Sequence, residues 1–117
     1  MSSPCIVINK FIVPEAVLDQ FLTEFAAHRT FLAARPGFLT GTLYRKQGGP
    51  GRFNIVNIAH WEGPDALEAA RSAMGAYYAE KGTDPGAVYR RLGVKSDIAS
   101  YSAIVTYGPP RSASSAN

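Results

Sequence analysis

The sequence predicts a ferredoxin-like α+β sandwich, a four-stranded antiparallel sheet with two helices on one face. Three observations carry that expectation. The apolar pattern changes period in the order strand, helix, strand, strand, helix, strand, which is the split βαβ arrangement. Both helical stretches are apolar along one side only. At 117 residues with 46% apolar content, the chain suits one domain with a modest core.

The elements follow in order. "CIVINKFIV" (5–13) is rich in β-branched residues and stops at Pro14, which suits the first turn of a helix. From Pro14 to about Ala34, Leu18, Leu22, Phe25 and Leu32 fall on one side at helical spacing, with Val17, Phe21 and His28 at its margin. Pro36-Gly37 is a turn, and Phe38 to Lys46 is the second strand. "GGPG" (48–51) joins it as a hairpin to a third strand, 53–61. Gly63-Pro64-Asp65 then opens a second helix, in which Leu67, Ala70, Met74, Tyr77 and Tyr78 recur up to about Lys81 and Gly75 is a weak point. Residues 82–97 read as irregular, with one short helical turn at Ala87 to Leu92, and "IASYSAIVTYG" (98–108) reads as the last strand. The domain is expected to span 1–108. The tail "PPRSASSAN" (109–117) has nothing apolar to bury and is expected to be disordered.

The strands are apolar on both faces: strand one turns Val7 and Phe11 one way and Ile6, Ile8 and Ile12 the other. A sheet with one wet face alternates more plainly. A second copy is therefore expected on the uncovered face, giving a two-fold homodimer. No stretch reaches the roughly 18 apolar residues of a membrane span, and no leader pattern opens the chain, so a cytoplasmic protein without membrane association is expected. One cysteine, Cys5, forms no internal disulfide, and two distant histidines are a poor metal set, so no metal is expected. The net charge of +3 is scattered rather than striped, which argues against a nucleic-acid partner. There is no nucleophile elbow, phosphate loop or dinucleotide fingerprint, and "GGPGR" joins two strands rather than opening a helix.

What remains are polar residues set in apolar rows. In strand three, Phe53, Ile55, Asn57, Ala59 and Trp61 share one face, so an amide interrupts the row four residues before the only tryptophan. Asn9 interrupts the Val7–Phe11 row in the same way. If both rows face the helices, the amides project into the cleft between sheet and helices; the alternative is that each bonds to nearby backbone. Arg29 shares a helical sector with Leu18, Leu22 and Phe25, and Arg71 shares one with Leu67, Met74 and Tyr78. A guanidinium there either binds an anionic oxygen or lays its stem on the sheet with its charge in water. His28 is a candidate acid or base, Tyr78 lines the pocket or fills core, and His60 points away from Trp61 toward the expected dimer face.

"INKFIVPEAVLDQFLTEF", "PGFL" and "NIVNIAHWEGPDAL" together resemble the antibiotic biosynthesis monooxygenase domain, over about residues 4–107. The resemblance implies a dimeric α/β barrel. Within that superfamily, the cofactor-independent, quinone-forming monooxygenases carry an asparagine four residues before the strand-three tryptophan. Asn57 and Trp61 match that pattern, which implies that both contact the substrate, with Asn9, His28, Arg71 and Tyr78 as further substrate-binding candidates. The implied chemistry uses no cofactor: a deprotonated phenol-like or polyketide-type substrate passes an electron to dioxygen. Leu67 stands where such enzymes have a tyrosine. Two alternatives are a non-catalytic dimeric barrel that binds a small hydrophobic ligand or acts in a stress response, and a haem degrader. Haem-degrading relatives share an asparagine on strand one, to which Asn9 corresponds, but they also have a tryptophan and an axial histidine on helix two, and this chain has neither.

Overall fold

The computed structural model describes residues 4–110. The elements are β1 (Cys5–Ile12), a 3-10 turn (Glu15–Val17), α1 (Leu18–Ala33), β2 (Phe38–Arg45), β3 (Ile55–Trp61), α2 (Pro64–Lys81), α3 (Pro85–Leu92) and β4 (Lys95–Tyr101). The strands form one sheet in the order β2-β3-β1-β4, and every neighbouring pair is antiparallel. This is the ferredoxin-like arrangement, with three helices rather than two.

Three boundaries differ from the sequence expectation, each for a local reason. The first helix opens as a 3-10 turn after Pro14, with the Val17 N–H donating to the Pro14 carbonyl at 3.0 Å. The stretch before β4 holds a full two-turn helix, because Asp84 caps it by accepting from the Gly86 N–H at 3.0 Å and Pro85 follows with its φ already fixed. The last strand starts at Lys95 and ends at Tyr101 instead of running from 98 to 108. Its partner strand runs out there: Tyr101 pairs with Ile6, and Pro4, which has no N–H to give a ladder, lies just beyond β1. The chain past Tyr101 leaves the sheet, with Ile104 98% and Tyr107 90% exposed. Of the tail expected from residue 109, all but the first two residues lie outside the described residues.

Register fixes which side chains meet the helices. Cys5 lies opposite Trp61, Val7 opposite Ala59, Asn9 opposite Asn57 and Phe11 opposite Ile55. The apolar members of these pairs are buried and fall into two clusters. One joins Phe11 and Ile55 to Leu18, Phe21 and Phe25 of α1, with Val13 and Val94. The other joins Cys5, Val7, Ala59 and Trp61 to Leu67 and Ala70 of α2. Asn9 and Asn57 stand on the row between them.

The first cluster is an aromatic knot. Phe11 meets Phe21 and Phe25 edge-on at 4.9 and 5.4 Å, while Phe21 stacks on Phe25 at 5.7 Å. Asn54 ties its sheet side: its Oδ1 accepts from the Val13 N–H and its Nδ2 donates to the Val13 carbonyl, both at 2.8 Å. That side chain completes the β1–β3 ladder where β1 bends toward α1. At the other end, Gly37 has φ +85, and any Cβ there would collide with the Ala66 side chain, so the Pro-Gly-Phe entry lets β2 start directly beneath α2. The opposite sheet face stays uncovered, with Ile6, Ile8, Ile12, Val56 and Ile58 half-buried and Tyr44 and Tyr101 exposed.

Two stability predictions follow from this packing. Phe21 is fully buried, and Phe21→Ala should lower the unfolding free energy by about 3–5 kcal/mol in a urea titration. Asn54→Ala leaves both Val13 backbone groups unpaired and should cost about 2 kcal/mol in the same titration, although no apolar contact is lost.

Candidate functional site

Between the two core clusters lies a cavity of about 190 Å³. Its floor is Asn9 of β1 with Asn57 and Ala59 of β3. Phe38, Gly41 and Leu43 of β2 form one wall, and the second half of α1 forms the roof with Phe25, His28, Arg29, Leu32 and Ala33. The cavity opens where the bulky Phe11–Ile55 row gives way to the shorter Asn9–Asn57 pair and to Ala59 in the row beyond it. Gly41, opposite Ala59, keeps the β2 wall thin.

The two amides differ from Asn54. Asn54 spends both polar atoms on the backbone. The side chains of Asn9 and Asn57 have no hydrogen-bond partner among the described residues, and no buried polar side-chain atom is left unsatisfied, so their polar atoms open onto the cavity. Directly paired residues on an antiparallel sheet hold their Cβ atoms about 4.5–5.5 Å apart. The cavity thus presents two neighbouring sets of amide donors and acceptors in a largely apolar surround.

His28 and Arg29 are the lining groups that carry or can take a charge. The Arg29 guanidinium sits 5.7 Å from the Phe25 ring centroid and is exposed at the rim. His28 stacks on Phe25 at 5.6 Å and on Tyr78 at 6.1 Å, and its Nδ1 is hydrogen bonded to the Tyr78 hydroxyl at 3.2 Å. Burial lowers the His28 pKa below its ordinary 6.5. Burial, with Tyr77 second, raises that of Tyr78, so its hydroxyl stays protonated at neutral pH.

The structure brings together Asn9, Asn57 and His28 on the cavity wall. Tyr78 lies behind His28 rather than on the wall. Trp61 also lies outside the lining. It is 1% exposed and sits edge-on to Phe38 at 5.1 Å, one layer behind the ring that forms the wall. The reason is register: Trp61 pairs with Cys5 at the end of the sheet, two rows from the Asn9–Asn57 pair. Arg71 is exposed, because α2 buries the stripe of Leu67 and Ala70 and the next residue turns about 100° away. Phe38, Gly41 and Leu43 were not legible as site residues, since none is polar and a β-bulge between Phe38 and Thr40 brings Phe38 to the face that simple alternation denies it. Among the described residues no cluster of three potential metal ligands occurs, and no helix is long and apolar enough to cross a membrane.

A side chain added at Gly41 would start 3.2 Å from Phe38 Cζ and extend along the cavity wall. Gly41→Val should therefore weaken binding of a small aromatic ligand such as 2-naphthol at least tenfold by fluorescence titration, with the far-ultraviolet circular dichroism unchanged.

Comparison with known proteins agrees with this fold. The chain superposes on a proposed monooxygenase from Shewanella loihica PV-4 with a TM-score of 0.71 and 27% identity, covering 91% of this chain and 99% of that one. It superposes on SnoaB, a cofactor-independent oxygenase from Streptomyces nogalater, with a TM-score of 0.64 and 26% identity, covering 90% and 97%. The haem-degrading protein Rv3592 of Mycobacterium tuberculosis shares the fold at 20% identity, with a TM-score of 0.61 and 92% and 99% covered. No curated protein matches the chain. The family model for antibiotic biosynthesis monooxygenases matches residues 4–76, which span β1 to most of α2 and include both amides and the tryptophan, and the chain belongs to that family.

Proposed function

We propose that the protein is a small cofactor-independent monooxygenase that oxidises an aromatic, phenol-like compound in the cavity between the sheet and α1. The observation that carries this reading is the Asn9–Asn57 pair, two amides without partners at the centre of an otherwise apolar wall. A phenolate oxygen seated there accepts hydrogen bonds from both Nδ2 groups. Stabilising that oxyanion favours the electron-rich form of the substrate, which reduces dioxygen without help from a metal or flavin. For an anthrone-type compound the reaction balances with dioxygen alone: the ring methylene becomes a carbonyl holding one oxygen atom, and the other oxygen leaves as water with the two methylene hydrogens. The apolar wall of Phe25, Leu32, Phe38 and Leu43 keeps water from the reduced oxygen species.

Size narrows the substrate. A cavity of about 150 Å³ holds a benzene ring, so about 190 Å³ encloses one ring or a small fused pair, and further rings extend through the open mouth. The likeness to SnoaB supports cofactor-free oxygenation. Haem degradation draws no comparable support, since the Mycobacterium likeness is one of fold and α2 carries no histidine. Trp61 serves the site from behind by holding Phe38 in place. The uncovered sheet face, with its half-buried isoleucines, supports a homodimer closed through that face.

Asn57→Ala should cut anthrone-dependent oxygen consumption by roughly 10²-fold, the usual cost of losing one oxyanion donor, while leaving the thermal midpoint nearly unchanged. A panel of anthrones and polyphenols that gives no turnover above background with the wild-type protein would remove the enzyme reading. Ile8→Glu on the open face should convert a species of twice the chain mass to a monomer in sedimentation equilibrium.

A further inference from the structure

Oxygenation of a phenol-like compound needs a proton acceptor before it needs oxygen, because the neutral phenol is a poor electron donor. Among the cavity's lining groups, the Asn9 and Asn57 amides carry no ionisable proton and the Arg29 guanidinium offers donors only. His28 is the one lining group able to take a proton near neutral pH. The other histidine, His60, points to the opposite sheet face, since it lies one residue from the helix-facing Ala59 and Trp61.

We propose that His28 is the catalytic base of the site and that Tyr78 is its positioning residue. This rests on the oxygenase reading above and adds to it the group that ionises the substrate. The ring is fixed on three sides: Phe25 on one face, Tyr78 on another, and the Tyr78 hydroxyl 3.2 Å from Nδ1. In this role His28 takes the tautomer in which the tyrosine oxygen accepts from Nδ1–H, so that Nε2, which has no partner among the described residues, is the atom that receives the proton. That acceptor suits both states of the ring, because Nδ1 carries a hydrogen in the neutral and in the protonated imidazole alike. In the step itself the phenol O–H bond breaks and an Nε2–H bond forms. The electron pair stays on the oxygen beside the asparagine amides. Dioxygen then adds to the substrate carbon as a peroxide; that carbon's remaining hydrogen passes to the distal oxygen as the O–O bond breaks and the carbonyl forms, and the departing hydroxide takes the proton back from Nε2, giving water and the neutral base.

The electrostatic surroundings agree with a base that is free at neutral pH. Glu24 and Arg29 flank it on α1, Tyr77, Tyr78 and Lys81 stand on α2, Tyr89 is on α3, and the sheet contributes uncharged amides. Burial is the cause that dominates, and it holds the imidazole neutral at pH 7. The kcat/KM profile should be flat above pH 6.5 and fall on the acid side of that ordinary histidine value.

The test compares two substrates, an anthrone that is neutral at the assay pH and a nitro-substituted analogue already ionised there. His28→Gln should lose at least 10²-fold in oxygen consumption with the neutral substrate and stay within about threefold of wild type with the ionised one. Added imidazole should restore part of the loss. Tyr78→Phe, which keeps the ring stack and removes the hydroxyl, should lose about tenfold with the neutral substrate only and shift the acid limb. Circular dichroism checks that each variant is folded, and should His28→Gln not fold, His28→Asn and Tyr78→Phe carry the comparison. Equal loss on both substrates, or no loss on either, overturns the role of His28 while wild-type turnover keeps the oxygenase reading. Wild-type protein inert toward both substrates overturns the two together.

Discussion

The cross-strand pairing of Asn9 with Asn57 is the constraint around which the rest of the molecule is arranged. A buried amide without a partner costs about 1–3 kcal/mol, so two of them cannot be closed over by apolar side chains. The core is instead split in two, and the space between stays open. Helix α1 roofs this gap with its second half, after spending its first half on the Phe11 cluster. An ordinary sheet of this size would put Val or Leu at both positions and gain about 1.5–3 kcal/mol for each side chain buried. The proposed role of the pair in receiving a substrate oxygen gives that forgone stability a purpose.

The same physics separates the asparagines by what their neighbours leave unsatisfied. Asn54 sits where β1 has lost its ladder partner, and the Val13 backbone takes both of its polar atoms. At positions 9 and 57 the backbone on each side is already paired through the sheet, so the side chains have nothing local to bind. The two aromatic groups of the site divide in a similar way. Phe38 forms wall, and Trp61, larger and fully buried, braces it at a right angle. The rigidity that holds the cavity in shape is thus supplied from the second cluster, one layer away from any ligand.

Much of the fold was legible because period-two and helical patterns were strong and the punctuation was plain: Pro14, Pro36-Gly37, Gly63-Pro64. The end of β4 was not, since "SAIVTYG" has high strand propensity and what stops it is the exhaustion of β1, a tertiary fact. Helix α3 was legible only as a turn at Ala87 to Leu92, because its first residues, Pro85 and Gly86, are helical through the Asp84 cap rather than through apolar spacing. In the site, alternation put Asn9 and Asn57 in apolar rows without saying which face meets the helices, and helical spacing put His28 at the edge of the α1 apolar sector. Alternation alone could not say that Trp61 lies two rows further along, behind Phe38. Nor could it reveal the His28–Tyr78 bond, which joins residues 50 apart on two helices.

The most direct measurement follows the side-chain amide signals of 15N-labelled protein as a hydroxylated naphthalene or anthrone is added under anaerobic conditions. If the paired amides receive the substrate oxygen, the Nδ2 groups of Asn9 and Asn57 shift together along one saturable curve, while that of Asn54, already committed to Val13, stays still. Shifts confined to the exposed sheet face, or a saturable titration that leaves Asn9 and Asn57 unmoved, would contradict the assignment of the pair as the site of substrate recognition.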